Sequence, residues 1–387
     1  MSNGRRTRIL IVDDSAVMRS LLRSVVSADA DLEVCGTAAD GSSGLSSVGE
    51  LRPDLILLDV EMPVMDGLLT LRELRRRGHK MPVIMCSSLT QRGAKVTVEA
   101  LASGASDYVA KPTGQANREA AISALAQDLT PKIHALTDRN QGLAQAVRPL
   151  QSQPLTAFSG MTRAPLFMPA ASPQRMQAIT SRPSVLLIGI STGGPAALDV
   201  LLPALPGNFP LPVLIVQHMP ELFTKVFAAR LDSRCKLQVR EAAEGDAVRG
   251  GTISIARGNW HMEVLAAARG GSPPTLHLTQ GSLENHCRPA ADVLFRTAAA
   301  VYGSGVLAVV MTGMGSDGML GCRIIREQGG AVLAQDQASS TVWGMPGAVV
   351  SAGLAHKVLP LGDLAAEILR LLSRTNSEAR ELRESVV

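Results

Sequence analysis

Ser191 is the residue whose surroundings most clearly predict nucleophilic chemistry. It lies in VLLIGISTGGP, where an apolar run beginning at Val185 ends in Gly189-Ile-Ser191-Thr-Gly193 and a helix-forming segment follows. A strand, a tight glycine turn and a helix N-terminus together expose one hydroxyl at the carboxyl end of a strand. Glycine turns at such positions also bind phosphate or merely close a loop. A nucleophilic role for Ser191 therefore depends on finding a base and an acid.

A serine nucleophile needs a base to take its proton and a carboxylate to orient that base. Among the seven histidines of the chain, His218 directly follows an apolar run in LIVQHMP. Asp317 lies in MTGMGSDG, a glycine-rich turn just after another predicted strand. Because all three residues follow strands of one predicted sheet, the sequence predicts a triad of Ser191, His218 and Asp317.

The order of these residues along the chain leaves an alternative base. The predicted order is Ser, His, Asp, whereas α/β-hydrolases have the order Ser, Asp, His. If the hydrolase order applied, the base would follow Asp317 and would have to be His356. His356 lies in AGLAHKVLP, ahead of the last predicted helix and outside any exposed turn. We therefore rank His218 first, and His261 or His356 would be examined if His218 proved dispensable.

A second set of residues predicts metal and phosphoryl chemistry in the N-terminal part of the chain. Asp13 and Asp14 end the stretch RILIVDD, and Asp59, Ser87 and Lys111 each follow a later predicted strand. Neighbouring carboxylates bind hard divalent cations, usually Mg²⁺. A hydroxyl and an ammonium group suit the oxygens of a phosphoryl group. Any one strand-end acid is commonly a helix cap, but the whole set favours a functional site.

Alternating strands and helices must position both sets. The first part of the chain predicts a flavodoxin-like, five-stranded parallel (βα)5 domain, because parallel strands need a helix on each crossover. Its strands are expected at 8–14, 32–39, 55–58, 83–86 and 107–109, and its helices at 15–26, 42–51, 68–76, 94–103 and 119–129. Functional residues collect at the carboxyl edge of such sheets.

The C-terminal part predicts a second domain, a doubly wound and mostly parallel α/β fold. Strands are expected at 185–189, 213–216, 252–255, 306–311 and 330–334, and helices at 196–202, 223–231, 292–301, 318–327 and 364–373. We divide the chain into one domain over 1–129, a Pro-, Gln- and Ser-rich linker over 130–181 and a second domain over 182–373. The charged residues 374–387 are expected to be a disordered tail.

The composition excludes several classes of protein. The 387 residues, 46% apolar and 19% charged, fit two globular domains. The net charge of +4 is small and dispersed, and no recognition helix is evident, so we expect no nucleic acid partner. We find no signal peptide and no continuous apolar span, and expect a cytoplasmic chain that does not insert into membranes. Five scattered cysteines without a C-x-x-C pair predict reduced thiols.

The N-terminal domain resembles the response-regulator receiver family over its whole length. VDDS, LLDVEMPVMDG and SDYVAKP are close to the three marker stretches of that family. The resemblance implies that Asp59 accepts a phosphoryl group from a sensor histidine kinase. It also implies that Asp13 and Asp14 hold Mg²⁺ together with Asp59 and a backbone carbonyl. By the same resemblance, Ser87 would sense the phosphate, Lys111 would pair with it, and Tyr108 falls at the switch-aromatic position.

The C-terminal domain resembles the catalytic domain of the chemotaxis protein-glutamate methylesterases, the CheB family. GISTGGP, VQHMP, CRPAADVLF, MTGMGSDG and QASSTVWGMPGAVV match its stretches in order. The resemblance implies Ser191 as nucleophile, His218 as general base and Asp317 as orienting acid, with backbone N–H groups around Thr192 and Met314 meeting the oxyanion. This chain departs from the family at Ala290-Ala291, Arg257 and Trp343, none of which is a triad residue.

Together the two resemblances imply a phosphorylation-controlled esterase acting on glutamate methyl esters of chemoreceptor cytoplasmic helices. The same chemistry would deamidate glutamine, and the esterase reaction would need no cofactor. We expect a monomer. We also expect the unphosphorylated receiver to cover the Ser191 cleft, because one linker joins two domains whose chemistry lies at the carboxyl edges of their sheets; the sequence does not indicate which receiver face docks.

Two other readings of the sequence stay open. The C-terminal domain of a signalling adaptor could bind a nucleotide at the glycine turn 189–194, although no G-x-G-x-x-G occurs there and no P-loop lysine follows. Alternatively, the chain could be a phosphate-regulated adaptor without catalysis. Covalent labelling of Ser191 by an active-site serine probe would be expected only of the esterase.

Overall fold

The architecture consists of two parallel sheets, each covered by helices on both faces. A computed structural model describes residues 5–112, 117–137, 181–267 and 271–384, with side chains in the last helix described to position 373. None of the helices in these ranges combines the length and the apolar character needed to cross a bilayer.

The N-terminal domain contains a five-stranded sheet in the order β2-β1-β3-β4-β5, with every neighbouring pair parallel. Its strands are β1 (Thr7–Val12), β2 (Leu32–Ala38), β3 (Leu55–Asp59), β4 (Val83–Ser87) and β5 (Asp107–Ala110). Its helices are α1 (Ala16–Ser27), α2 (Gly41–Leu51), α3 (Gly67–Arg76), α4 (Gln91–Ala102) and α5 (Arg118–Thr137). The central strands β1, β3 and β4 are apolar and buried because helices cover both faces. The predicted (βα)5 fold is confirmed.

The C-terminal domain contains a seven-stranded sheet in the order β14-β13-β12-β6-β7-β9-β8, again parallel throughout. Its strands are β6 (Val185–Ile190), β7 (Val213–Gln217), β8 (Gln238–Glu241), β9 (Thr252–Ile255), β12 (Val306–Val310), β13 (Ala331–Gln335) and β14 (Lys357–Leu359). An antiparallel hairpin, β10 (His261–Leu265) with β11 (Thr275–Thr279), lies outside this sheet.

The described part of the C-terminal domain also contains six α-helices. They are α6 (Gly194–Leu201), α7 (Glu221–Asp232), α8 (Ala291–Tyr302), α9 (Met319–Glu327), α10 (Met345–Ser351) and α11 (Leu361–Glu384). The predicted doubly wound parallel fold is confirmed, although the sequence did not predict β8, β14, α10 or the hairpin. The short strands β8 and β14 lie at the two edges of the sheet, where few apolar residues are needed.

Two helices extend well beyond their predicted C-terminal ends. Helix α5 was expected to end at 129, but it continues through Pro131 to Thr137. A proline inside a helix costs about 3 kcal/mol or more. Here the buried side chains of Leu129, Ile133 and Leu136 continue the apolar stripe beyond it. The predicted linker over 130–181 therefore begins with helix, and its central part, 138–180, lies outside the described residues. Helix α11 likewise continues through 374–384, where we had expected a disordered tail.

The two domains pack directly against each other. Helix α4 of the N-terminal domain contacts α6 and α7 of the C-terminal domain. At this interface the ring of Tyr108 stacks on that of Phe223, with centroids 4.8 Å apart and planes inclined by 17°. Tyr108 is consequently only 7% exposed. The contact brings strand β5 of the first domain close to the carboxyl edge of the second sheet.

Candidate functional site

Ser191, His218 and Asp317 follow three adjacent strands of the C-terminal sheet. Strands β12, β6 and β7 are neighbours and parallel, so their carboxyl ends meet at one edge. Ser191 directly follows β6, His218 directly follows β7, and Asp317 lies between β12 and α9. The structure therefore places all three residues at the sheet edge that the sequence indicates.

A hydrogen bond joins the imidazole and the carboxylate of this group. Nε2 of His218 lies 2.8 Å from Oδ2 of Asp317, which is 2% exposed. At the N-terminus of α8, the backbone N–H groups of Ala291 and Asp292 donate to the same carboxylate over 2.5 and 3.1 Å. Burial would raise the pKa of Asp317, but the hydrogen bond and charge of His218 outweigh it and lower the pKa. The carboxylate is held ionised and aimed at His218.

The second ring nitrogen of His218 contacts a thiol. Nδ1 lies 3.6 Å from Sγ of Cys287. Burial would lower the pKa of His218, but its hydrogen bonds with Asp317 and Cys287 outweigh that effect and raise the pKa to about 10. Within the described ranges, the Ser191 hydroxyl forms no hydrogen bond. Asp317 occupies Nε2, so Nδ1 is the ring nitrogen of His218 that has no carboxylate partner.

Two glycines let the backbone approach Ser191 closely. Gly193 has a φ of 78°, and a Cβ there would lie 2.3 Å from Oγ1 of Thr341. A Cβ on Gly313 would lie 2.8 Å from Cβ of Ser191. The N–H of Ser191 donates to the carbonyl of Thr312 over 3.0 Å. The loops after β12 and β13 thus hold the Ser191 turn in a conformation that larger residues would disrupt.

The two oxyanion donors predicted from the resemblance line the same cavity as Ser191. Thr192 follows it in the turn, and Met314, 37% exposed, lines the same cavity. Among the described residues, neither backbone N–H donates to another protein group. Both N–H groups are therefore free to donate to a substrate oxygen.

Three polar residues near the triad were not predicted from the sequence. Gln217, at the end of β7, donates from Nε2 to the carbonyls of Ser191 and His218 over 3.1 and 3.3 Å. Cys287 contacts His218, and Asn285 donates to Asp317 over 2.9 Å. The signals in the sequence were the family stretches VQHMP and CRPAADVLF, which contain Gln217 and Cys287, and the polar cluster ENHCR, which contains Asn285.

The N-terminal domain closes over this site. A cavity of about 490 Å³ is lined by Ser191 and His218 on one side and by Asp107, Tyr108 and Lys132 on the other. The hydroxyl of Thr192 donates to Oδ2 of Asp107 over 2.6 Å, in a buried hydrogen bond between the domains. The receiver face that docks, which the sequence did not indicate, therefore comprises α4, β5 and α5.

The acids of the N-terminal domain form a compact group at the carboxyl ends of β1 and β3. Asp13, Asp14 and Asp59 each offer a carboxylate oxygen, all within 4.8 Å of one another. Nζ of Lys111 lies 2.9 Å from Asp13 and 2.8 Å from Asp59. Burial raises the pKa of Asp59 to about 6, although Lys111 acts in the opposite direction. Oδ2 of Asp59 is buried without a hydrogen-bond partner among the described residues, so these hard oxygen donors fit Mg²⁺.

The two predicted switch residues lie on the neighbouring strands β4 and β5. Ser87 is buried at the end of β4, and its Oγ accepts a hydrogen bond from Oγ1 of Thr97 over 2.7 Å. Tyr108 lies in β5 and faces the other domain, where its ring meets Phe223. The predicted phosphate-sensing and aromatic positions are thus linked to the domain interface through β4 and β5, which are paired.

The alternative bases have structural partners. His261 is buried, its Nε2 lies 2.9 Å from the carbonyl of Ser282, and its Nδ1 accepts the N–H of Ala290 over 3.2 Å. His356 accepts the N–H of Val332 at the start of β13, the end of the strand away from the triad. Burial and the charge of Arg326 lower the pKa of His356 to about 4. Neither histidine is placed to assist Ser191.

Two protein families match this chain in succession. Residues 9–123 match the response regulator receiver domain, and residues 186–368 match the CheB methylesterase family.

Curated relatives match over nearly the full length. A protein-glutamate methylesterase/protein-glutamine glutaminase from a Nocardioides species is 49% identical, over 95% of this chain and 96% of the relative. One with the same name from Trichodesmium erythraeum is 45% identical, over 94% of this chain and 98% of the relative. Among solved structures, the Thermotoga maritima CheB methylesterase catalytic domain is 40% identical, covers 49% of this chain and all (100%) of its own, with a TM-score of 0.47.

Proposed function

This chain belongs to the CheB family of receiver-controlled protein-glutamate methylesterases/protein-glutamine glutaminases, and we propose that Ser191, His218 and Asp317 are its catalytic triad. The observation that carries the proposal is the 2.8 Å bond from His218 to a carboxylate fixed at a helix N-terminus, one strand away from the Ser191 turn. A serine hydrolase requires a histidine base that is held in place by a hydrogen bond to a fixed carboxylate, and His218 and Asp317 have this arrangement.

Acylation begins when Nδ1 of His218 takes the proton of the Ser191 hydroxyl. The oxygen of Ser191 attacks the γ-carbonyl of a glutamyl methyl ester, and the carbonyl oxygen becomes negatively charged. The N–H groups of Thr192 and Met314 donate to this oxyanion, each contributing about 3 kcal/mol to transition-state stabilisation. His218 then protonates the departing methoxide, and methanol leaves a glutamyl ester on Ser191.

Deacylation repeats these steps with water as the nucleophile. His218 removes a proton from water, the hydroxide attacks the acyl-enzyme, and the proton returns to Ser191 as glutamate is released. A glutamine side chain follows the same route with ammonia as the leaving group, which accounts for both activities in the family name. Asp317 stabilises the imidazolium of His218 throughout, because its carboxylate remains bound to Nε2.

The receiver controls this chemistry through phosphorylation of Asp59 by a sensor histidine kinase. Asp13, Asp14 and Asp59 would hold the Mg²⁺ that receiver phosphorylation requires, and Lys111 would neutralise phosphoryl oxygens. The bound metal supplies charge neutralisation for phosphoryl transfer. Ser87 and Tyr108 then change partners, which weakens the packing of β5 and α4 on the esterase domain.

The unphosphorylated receiver restrains the esterase by occupying the approach to Ser191. Asp107, Tyr108 and Lys132 line the cavity that contains Ser191, which leaves no room there for a receptor helix about 10 Å in diameter. Phosphorylation favours separation of the domains and admits the methylated cytoplasmic helices of chemoreceptors. The proposal places the protein in the cytoplasm as a monomer, without a nucleic acid partner or a cofactor for ester hydrolysis.

The proposed domain division follows the elements that carry each activity. The receiver comprises 1–129 with the remainder of α5, the linker continues to 181, and the esterase comprises 182–373. The linker joins the domains covalently, so that even a weak interface can close the cleft.

A methanol-release assay on methylated receptor membranes tests the proposed function. The full chain with Mg²⁺ and a small phosphodonor should release methanol, and a fluorophosphonate probe should label Ser191. The Ser191→Ala variant should neither release methanol nor become labelled. Methanol release by that variant at the wild-type rate would refute the triad, and binding of a nucleotide without any labelling would instead support the adaptor alternative.

A further inference from the structure

A second layer of polar residues contacts Asp317 at Oδ1, the carboxylate oxygen that does not bind His218. Asn285 donates from Nδ2 to Oδ1 of Asp317 and to Oδ2 of Asp292, each over 2.9 Å. We propose that Asn285 is a positioning residue of the esterase reaction, whose amide fixes the carboxylate of Asp317 with the buried Asp292 as its anchor. The proposal rests on the triad assigned above and adds a residue to it.

The orientation of the Asn285 amide follows from its partners. Carboxylates accept hydrogen bonds and cannot donate them when ionised, so the amide nitrogen must face both of them. One N–H then points to each carboxylate, and both donors of the amide are used. The reversed amide would place an oxygen between two negative groups. The chemistry of the site therefore allows one orientation, which is the one observed.

Asp292 has the properties of an anchor for this amide. It is 2% exposed, and its Oδ1 accepts the N–H of Gly321 at the start of α9 over 2.6 Å. Its own N–H donates to Asp317 over 3.1 Å. Asp292 thus binds α8 to α9 and holds one proton of the Asn285 amide, which leaves the other proton directed at Asp317.

The backbone of Asn285 is fixed by a tight two-residue turn. Glu284 and Cys287 exchange backbone hydrogen bonds of 3.1 and 2.8 Å, and the two residues between them, Asn285 and His286, have φ values of 51° and 61°. Asparagine is favoured at the first of these positions because it tolerates a positive φ. Arg296 of α8 forms an ion pair with Glu284, which fastens the turn to the helix.

The two oxygens of Asp317 bind different partners. Oδ1 accepts from Asn285 and from the backbone of Asp292, whereas Oδ2 accepts from His218 and from the backbone of Ala291. Without Asn285, Oδ1 keeps a single donor, and the three hydrogen bonds that remain hold the carboxylate less firmly against rotation about its bond to Cβ. Rotation would misalign Oδ2 with His218, so the imidazolium that forms in the transition state would be less stabilised.

A positioning role and a merely structural role can be separated with two variants of the full, phosphorylated chain. Asn285→Gly removes the amide and accepts the positive φ, so the turn is preserved. Asn285→Asp keeps the shape but places a third carboxyl between Asp292 and Asp317. That carboxyl can donate only while it is protonated. The charged or titratable groups around it are Asp292, Asp317, His218 and the Glu284–Arg296 pair.

The expected results concern kcat and its pH dependence. Asn285→Gly should lower kcat about tenfold with KM unchanged, the size of one lost hydrogen bond to a charged group. For Asn285→Asp, the ratio of its rate to the wild-type rate should rise as the pH is lowered from about 8 to about 6, because protonation restores a donor. Asn208→Gly, which removes an exposed amide before β7, is the control and should match the wild-type protein.

Either of two results would overturn the proposal. One is a wild-type kcat in Asn285→Gly. The other is a loss in Asn285→Asp that is equal at every pH, since a structural defect would not follow the protonation of the new carboxyl. Thermal unfolding of both variants identifies a defect in folding. If Ser191→Ala retained activity, the triad itself would fail, whereas an inactive Ser191→Ala beside a fully active Asn285→Gly would refute only the role of Asn285.

Discussion

The hydroxyl of Thr192 and the carboxylate of Asp107 form a 2.6 Å hydrogen bond that crosses from the esterase domain to the receiver. Thr192 is the residue next to the proposed nucleophile, and Asp107 begins the receiver strand β5. Both side chains are buried. The receiver is thus bound to the backbone turn that holds Ser191, rather than to a distant surface of the esterase.

Replacing Asp107 by Ala should activate the unphosphorylated enzyme. A hydrogen bond to a buried charged group contributes about 1.5–3 kcal/mol, so its loss should raise the population of separated domains, and with it methanol release, by about 10- to 100-fold. Glu33→Ala, which removes a half-buried acid on the edge strand β2, is the matched control. An Asp107→Ala variant with unchanged basal release would show that this bond does not hold the domains together.

Ser191→Ala and His218→Gln should each abolish methanol release, whereas Asp317→Asn should leave a small residual rate. Loss of the nucleophile or the base removes the acylation step, and loss of the orienting charge lowers kcat by about 10⁴-fold. Initial rates on methylated receptor membranes measure all three. Near-normal turnover in His218→Gln would contradict the assignment of the base.

Phosphorylation from a small phosphodonor should require Mg²⁺ and should occur at Asp59 alone. Asp14→Ala should lose most of it by weakening the metal site, while Asp31→Ala, an exposed acid elsewhere on the receiver, should not. Incorporation of labelled phosphate measures the reaction. Phosphate retained in Asp59→Asn would exclude Asp59 as the acceptor.

Phosphorylation should also weaken as the medium becomes acidic. Burial raises the pKa of Asp59 to about 6, so its carboxylate is ionised above this pH and takes up a proton below it. A protonated carboxyl neither binds Mg²⁺ nor attacks phosphorus. The initial rate of phosphate incorporation should therefore fall as the pH drops through about 6, and a rate independent of pH between about 5 and about 7 would contradict this.

Cys287→Ala should shift the pH dependence of ester hydrolysis. The Cys287 thiol helps to raise the pKa of His218, and a protonated imidazole cannot take the proton of Ser191. Without the thiol the pKa should fall, so the rising limb of the rate profile should move to lower pH. Cys235→Ala alters a half-buried thiol outside the site and serves as the control. An unmoved limb in Cys287→Ala would show that the thiol does not influence the base.

The sequence predicted those parts of the molecule that depend on local pattern. Strand β6 and the Ser191 turn are specified by a continuous apolar run followed by glycines, and the acids at the ends of β1 and β3 follow equally distinct strands. Strand β14 is only three residues long (Lys357–Leu359), and α10 begins with Met345, Pro346 and Gly347, so neither has a pattern that the sequence could reveal. Pro131 likewise suggested a helix end that buried neighbours override.

The remaining features depend on contacts between distant parts of the chain. Asn285 acquires its role from Asp292, seven residues away, and from Asp317, which lies 32 residues away. The bond from Thr192 to Asp107 spans 85 residues and two domains. Spacing along the chain carries no information about such pairs, because they form only when elements that are distant along the chain pack together.

Because the ring of Tyr108 stacks on Phe223, the position of this ring affects the receiver and the esterase domain at once. If phosphorylation of Asp59 displaces Tyr108, then anything that draws Tyr108 away from Phe223 must, by the same free energy, favour phosphorylation. A receptor helix that binds in the opened cleft would keep the two domains apart and so keep Tyr108 away from Phe223. At a fixed supply of phosphodonor, the phosphorylated fraction of the protein should therefore increase with the amount of methylated receptor, so that the substrate itself acts as an effector of the receiver.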